Sequence, residues 1–235
     1  MINVGTNSIS NIKIGSTQAK RAYVGTTIVW KYNKISRLPS GYTEVEYIQS
    51  TSNQYIDLDI MLYDTLNKNY DIAIKFEFIK RGIDIHKQAT VFGCQDNTGS
   101  PWPGTFIRTA KDDDRLWGRY IGGTEKDVVL GTRGTIIELP VQVPPNKNVT
   151  NLNNSNKTHT WGTSLFCIFN TQDKTQVARF SQMKLYYFKL FVEGELVRDM
   201  IPCINPNNVV GLYDLANDVF YSSPNGVAFV AGNEV

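Results

Sequence analysis

The hydrophobic pattern of this chain alternates with a period of two at several places, as half-buried β strands do. Residues 72–78 read Ile-Ala-Ile-Lys-Phe-Glu-Phe, which places Ile72, Ile74, Phe76 and Phe78 on one face. Residues 185–192 form an aromatic-rich segment that turns at Glu193-Gly194 into a second apolar segment at 195–201, which predicts a hairpin. Helical spacing of apolar residues is not sustained over any long window. The pattern predicts an all-β protein.

Further short strands are predicted along the rest of the chain, at 45–48, 55–60, 90–93, 105–108, 116–120, 136–139 and 165–170. A second hairpin is predicted around Asn217-Asp218. Clusters of Gly, Pro, Asn and Asp separate these segments, which favours an antiparallel sandwich or jelly roll. Two stretches are predicted as loops: 95–104, with Trp102 between two prolines, and 140–157, rich in Pro and Asn.

Three similar tripeptides stand ten residues apart at the start of the chain: Val4-Gly5-Thr6, Ile14-Gly15-Ser16 and Val24-Gly25-Thr26. A short fixed period is typical of small β units that cannot bury an apolar face alone. We predict an anchor or oligomerisation module over residues 1–33. Its contact residues are predicted to be Val4, Ile14, Tyr23, Val24, Ile28 and Trp30. The alternative is a β extension lying on the main domain of the same chain.

Composition narrows the class of protein. The chain has 235 residues, 41% hydrophobic and 20% charged, which is ordinary for a folded protein. The net charge of +2 and the scattered basic residues argue against nucleic-acid binding. Neither a signal peptide nor an apolar run of the ~20 residues needed for a membrane helix is recognised. Cys94, Cys167 and Cys203 lack metal or redox spacing, so we expect reduced thiols, Cys167 in the core, and no cofactor.

Both ends of the larger segment resemble a known family. The opening residues are 38–51, Leu-Pro-Ser-Gly-Tyr-Thr-Glu-Val-Glu-Tyr-Ile-Gln-Ser-Thr, followed by Gln54-Tyr55-Ile56-Asp57. The closing residues are 185–190, 194–203, Gly211-Leu212-Tyr213-Asp214 and Val219-Phe220-Tyr221. These segments resemble the first strands and closing hairpins of concanavalin A-like (laminin G-like) jelly-roll domains of phage and prophage virion proteins from gut bacteria. The N-terminal unit is similar to a small module often fused to such domains.

The resemblance implies the fold and a virion setting, but no particular ligand, because this fold hosts lectins, hydrolases and structural domains alike. It covers both ends of the chain, while the middle region, about 80–180, matches no recognised pattern. We therefore expect an antiparallel concanavalin A-like jelly-roll sandwich over 36–235, preceded by the small β-rich anchor.

The sequence offers few candidate residues for catalysis or metal binding. Glycoside hydrolysis needs two carboxyl groups held across the scissile bond, and the nearest pairs are Glu44/Glu46 and Asp57/Asp59. His86 and His159 are the only histidines, which leaves little for a histidine-based site. Asp112-Asp113-Asp114 could offer oxygen ligands to Ca²⁺, or form a solvated turn. We predict no enzyme activity and no metal site.

Sugar binding has better candidates, because lectin sites combine an aromatic face with a few polar side chains. Trp102 has Asp96 and Asn97 near it in sequence, and Trp117 has Asp114 and Arg119. The alternative is that both tryptophans pack over the rim of the sandwich or against a neighbouring subunit.

The predicted function is that of a non-enzymatic bacteriophage virion protein, on the head or the tail, with some glycan adhesion. It would assemble in the bacterial host cytoplasm, bind a capsid or tail component, and form a homo-oligomer, a trimer before a dimer. The alternatives are a carbohydrate-binding module for host glycans and a divergent glycoside hydrolase.

Overall fold

The computed structural model describes residues 13–14, 17–18, 21–24, 27–31, 37–60, 70–81, 88–95, 104–109, 116–119, 133–143, 162–169, 174 and 177–235. Within these ranges every helix or strand element is a β strand. The chain divides into two compact units, Met1–Arg37 and Leu38–Val235. Each unit is taken by itself below.

The first unit contains two antiparallel strand pairs. Strand β1 (Lys13–Ile14) pairs with β2 (Thr17–Gln18), and β3 (Arg21–Val24) pairs with β4 (Thr27–Lys31). In each pair two residues separate the strands, Gly15-Ser16 and Gly25-Thr26, which is the spacing of a two-residue hairpin. The second and third repeats therefore each begin at the last residue of a paired strand, Ile14 of β1 and Val24 of β3. The first repeat, with Val4, lies outside the described residues.

The second unit holds the remaining strands. They are β5 (Thr43–Glu44), β6 (Ile48–Gln49), β7 (Ile56–Asp57), β8 (Tyr70–Arg81), β9 (Thr90–Gln95), β10 (Gly104–Thr109), β11 (Leu116–Arg119), β12 (Ile136–Val143), β13 (Ser164–Leu165), β14 (Ile168–Phe169), β15 (Val177–Ala178), β16 (Ser181–Val192), β17 (Glu195–Ile204), β18 (Val210–Asp214), β19 (Val219–Tyr221) and β20 (Val230–Ala231). Their described pairings are all antiparallel.

These strands form two main sheets. The larger runs in the order β12-β8-β16-β17-β18-β19, and in addition β5 pairs with β17, β6 with β16, and β20 with β6. The smaller runs in the order β11-β10-β9-β13-β7. One core cluster draws on both sheets, and the rings of Phe92 (β9) and Phe188 (β16) lie 5.3 Å apart between their centroids. Two antiparallel sheets that share a core form a β sandwich, so the all-β expectation is confirmed.

The alternation predicted for residues 72–78 is confirmed. Ile72, Ile74, Phe76 and Phe78 are buried in the core, while the residues between them face outward and are half-buried. Both predicted hairpins are present, as β16–β17 and β18–β19. Cys167 is a free, fully buried thiol, as expected.

The predicted loop at 140–157 is wrong at its start. Residues 140–143 belong to β12, where Pro140 pairs in register with Ala73 of β8. A proline cannot donate a ladder hydrogen bond and is confined to edge strands. Strand β12 is the first in the order of the large sheet. The backbone nitrogen of Pro140 can therefore point away from β8, on the side where no ladder hydrogen bond is made. Residues 144–157 lie outside the described part of the chain.

The two segments that carry the family resemblance meet in space. In the opening segment, β5 pairs with β17 and β6 pairs with β16, and both partner strands belong to the closing segments. Strand β20, nearer the C-terminus, also pairs with β6, and Val45 bridges to Glu234. The fully buried Gln54 organises this junction: its amide donates to Ala228 O at 2.8 Å, and its carbonyl oxygen accepts from Ser52 N at 2.8 Å. The unit therefore closes on itself through its first and last strands.

Candidate functional site

A β-bulge in strand β16 brings two tyrosines to the outer face of the large sheet. In the pairing with β8, Leu185 lies opposite Phe76 and Tyr187 opposite Lys75, so Tyr186 is the extra residue. Leu185 and Phe188 on either side are fully buried, while Tyr186 and Tyr187 are both half-buried. Strict alternation would send one of these tyrosines into the core. The bulge instead turns that side chain to the outer face, as bulges near functional sites do.

A third tyrosine joins them from the segment before β6. The rings of Tyr47 and Tyr186 lie 5.6 Å apart between their centroids in an edge-to-face arrangement. Lys184 Nζ lies 5.1 Å from the Tyr47 ring centroid, and Lys75 Nζ lies 5.8 Å from that of Tyr186. We call these three tyrosines, with Lys75, Glu77, Glu138 and Lys184, the tyrosine platform.

The Tyr187 side chain reaches from its own strand, β16, across β8 to β12. Its hydroxyl donates to Glu138 Oε1 at 2.8 Å, although Glu138 is on β12 and Tyr187 on β16, with β8 between them. Two strand spacings amount to about 10 Å, so the phenol side chain must extend along the sheet over β8. Burial and the neighbouring carboxylate raise the pKa of Tyr187 to about 12. The Tyr187 hydroxyl, and then Lys75, lower the pKa of Glu138.

Every charged group of the platform has a partner of opposite sign. Lys184 Nζ lies 2.9 Å from Glu77 Oε2, and Lys75 Nζ lies 3.5 Å from Glu138 Oε2. A third pair on the same face, Lys189 and Asp199, joins at 2.9 Å. The outer face is therefore polar and carries no net charge from these six groups. It presents donors and acceptors side by side between aromatic rings.

Glu77 and Glu138 are the carboxylates that bear on hydrolysis. Glu138 is opposite Lys75 in the ladder, and Glu77 is two residues further along β8. The backbone positions of such diagonal neighbours lie roughly 7–8 Å apart, and inverting glycosidases hold their two carboxyl groups about 6.5–9.5 Å apart. A general acid must hold its proton, however, and the pKa of Glu138 is lowered. Glu77 is held by Lys184 and by the Tyr186 hydroxyl at 3.4 Å. These contacts suit binding better than proton transfer.

The carboxylate pairs noted in the sequence are arranged differently. Asp57 and Asp59 share one ammonium group, with Lys174 Nζ 2.6 Å from Asp57 Oδ2 and 3.7 Å from Asp59 Oδ1. A lysine ammonium group therefore lies between these two carboxylates. Glu44 is half-buried and Glu46 exposed on either side of the buried Val45.

A second charged cluster lies between the sheets and holds the fold together. Arg198 donates through Nη2 to Leu58 O at 2.9 Å and lies 3.6 Å from Asp214 Oδ2. The fully buried Asp214 accepts through Oδ1 from Asp199 N at 2.9 Å and Ala216 N at 3.0 Å, and through Oδ2 from Asn217 Nδ2 at 2.8 Å. Since each of its oxygens has partners within the protein, this aspartate is structural.

Of the sugar-site residues predicted from sequence, the structure describes Trp117 and Arg119 and leaves the other four outside its described part. Trp117 and Arg119 lie on β11, the first strand in the order of the small sheet. Trp102, Asp96, Asn97 and Asp114 lie outside the described residues, as do Asp112, Asp113 and both histidines. Of the predicted anchor residues, Ile14, Tyr23, Val24, Ile28 and Trp30 lie on β1, β3 and β4, and Val4 is outside. Both predicted sites stay predictions.

Sequence reasoning missed the tyrosine platform, although a signal was present. The run Leu185-Tyr186-Tyr187-Phe188 is apolar or aromatic at four consecutive positions within an otherwise alternating strand. Two adjacent tyrosines with polar hydroxyl groups fit such a strand when a bulge turns both of them outward.

Comparison with protein-family models, curated proteins and solved structures finds no match to this chain. What the structure itself defines is an all-β protein with antiparallel sheets. In its described part no helix is long and apolar enough to cross a membrane. The same residues include no group of three His, Cys, Asp or Glu side chains placed to hold a metal ion.

Proposed function

We propose that this chain is a non-enzymatic structural protein of a bacteriophage particle. Its first unit attaches it to a capsid or tail component, and its sandwich, a concanavalin A-like jelly roll, projects outward and adheres to glycans. It works as a homo-oligomer, a trimer before a dimer, and is assembled in the bacterial cytoplasm. The proposal that the protein belongs to a virion rests on the family resemblance of residues 38–57 and 185–221.

The observation that carries the attachment role is the make-up of the first unit. Its described strands are two to five residues long and pair two by two. An isolated two-stranded hairpin is at best marginally stable in water. A unit built of such hairpins, with Tyr23 and Trp30 in its strands, gains stability from a partner surface.

Incorporation into particles tests this role. The full chain and a variant lacking residues 1–37 are expressed during phage assembly, and their copy numbers in purified particles are compared. We expect the shortened chain to be absent while its circular dichroism spectrum still shows a β protein. Tyr187→Ala, which alters only the outer face of the sandwich, is the control and should incorporate normally. Wild-type incorporation of the shortened chain would contradict the attachment role.

A carbohydrate-binding module is the second candidate, and the tyrosine platform favours it. Aromatic rings beside fixed donors and acceptors form the kind of surface that binds a sugar ring. The two candidates separate cleanly, because a free-standing module needs no particle, whereas the virion protein requires one. The ion-paired state of Glu77 and Glu138 supports a binding role over hydrolysis for either candidate.

A further inference from the structure

The orientation of Tyr187 is the first step toward a ligand. Side chains on a sheet normally stand roughly perpendicular to it, but the bond from Tyr187 to Glu138 draws this phenol across β8. The next outward-facing residue of β8 beside Lys75 is Ala73, whose ladder partners are Lys189 and Pro140. Its side chain is a single methyl group. The Tyr187 ring therefore lies along the sheet beside a position with little side-chain bulk.

The charged groups around Tyr187 indicate what kind of molecule could bind there. Three ion pairs, Lys75–Glu138, Lys184–Glu77 and Lys189–Asp199, balance one another on the outer face. A polyanion or a polycation gains little from three ion pairs whose charges cancel. An uncharged molecule rich in hydroxyl groups gains more, because each hydroxyl can both donate to a carboxylate and accept from an ammonium group.

We propose that the tyrosine platform binds an uncharged chain of hexopyranose units, with one sugar ring lying against Tyr187 above Ala73. Hydroxyl groups of that ring exchange hydrogen bonds with Glu138, Lys75 and Lys189. This inference rests on the adhesion part of the proposed function and gives it a site and a ligand class. The site is separate from the tryptophans that the sequence suggested.

Binding is measured with the full chain by affinity electrophoresis and calorimetry. The probes are uncharged glucan, mannan, galactan and chitin oligosaccharides, with polygalacturonate and a sulfated polysaccharide as charged counterparts. The wild-type chain should bind at least one uncharged probe and neither charged one. Tyr187→Ala should weaken that binding roughly tenfold, as truncation of a central aromatic anchor does. Tyr187→Phe keeps the ring but not its bond to Glu138, and should lose roughly two- to threefold.

Leu196→Ala is the matched control, since Leu196 is an exposed apolar residue of the same sheet, 41% accessible and away from the platform. Its affinity should equal that of the wild type, and thermal melting confirms that each variant is folded. Failure to bind any uncharged probe would overturn the inference, as would preference for a charged probe or equal losses in Tyr187→Ala and Leu196→Ala. Self-association that disappears in Tyr187→Ala would instead identify the platform as an interface between copies. The attachment role is decided by the variant lacking residues 1–37, which none of these outcomes concerns, so the two proposals fail separately.

Discussion

Replacing Asp214 by alanine should destabilise the sandwich more than any substitution on its surface. The carboxylate is completely buried, and its oxygens accept from the backbone N–H groups of Asp199 and Ala216 and from the amide of Asn217. It also balances Arg198 at 3.6 Å. Truncation leaves these donors and a mostly buried guanidinium group without their acceptor.

The magnitude follows from these contacts. Each buried backbone N–H that loses its partner costs about 1–3 kcal/mol, and breaking a buried ion pair by removing one member costs about 3–5 kcal/mol. Because these figures describe the same lost contacts, they overlap, and we expect a loss of about 4 kcal/mol in the free energy of unfolding. For a chain of this size that lowers Tm by roughly 8–16 °C.

Urea denaturation and thermal melting, both followed by circular dichroism, measure the effect. Asp214→Asn keeps an acceptor oxygen for the two backbone donors and should lose about half as much. Asp218→Asn is the control in the same hairpin: Asp218 is exposed, its φ is 57°, and asparagine tolerates this conformation. Its stability should be close to that of the wild type. An Asp214→Ala chain that unfolds within about 1 kcal/mol of the wild type would refute the assignment of this aspartate as the central acceptor.

Two further predictions concern the platform and the edge of the large sheet. Because the folded state holds the Tyr187 proton up to about pH 12 against an ordinary pKa of 10, this tyrosine stabilises the fold below pH 10, and that contribution fades as pH rises toward 12. Tyr187→Phe should therefore show a shallower alkaline loss of stability and lack one late-titrating tyrosinate in ultraviolet absorbance; an unchanged titration curve would contradict the bond to Glu138. A Cβ at Gly211 would overlap the backbone oxygen of Tyr221 and meet the Phe220 ring at 2.7 Å, so Gly211→Ala should part β18 from β19 and cost about 2 kcal/mol or more in urea unfolding. Gly226→Ala, where a Cβ meets nothing within 4 Å although φ is 76°, is the comparison and should lose less.

Local chemistry in the sequence determined most of the strands and their turns. The alternation at 72–78 predicts the buried face because side chains on a strand point to opposite sides in turn. Glu193-Gly194 predicts the β16–β17 hairpin because glycine readily accepts the positive φ of a two-residue turn, and the two residues adopt φ of 52° and 82°. Cys167 is buried because it stands within a continuous apolar run.

Tertiary structure alone decided which strands are neighbours, and the tyrosine platform depends on that choice. The outward turn of both Tyr186 and Tyr187 arises from the pairing of β16 with β8, where one strand holds an extra residue. Pro140 lies in a strand because β12 comes first in the order of the described strands of the large sheet, a position that no local pattern encodes. Periodicity specifies which side of a strand is apolar, whereas register and neighbours are set by contacts between residues far apart in the chain. Glu138 and Tyr187 are 49 residues apart in sequence, and they meet only because β8 pairs with both of their strands.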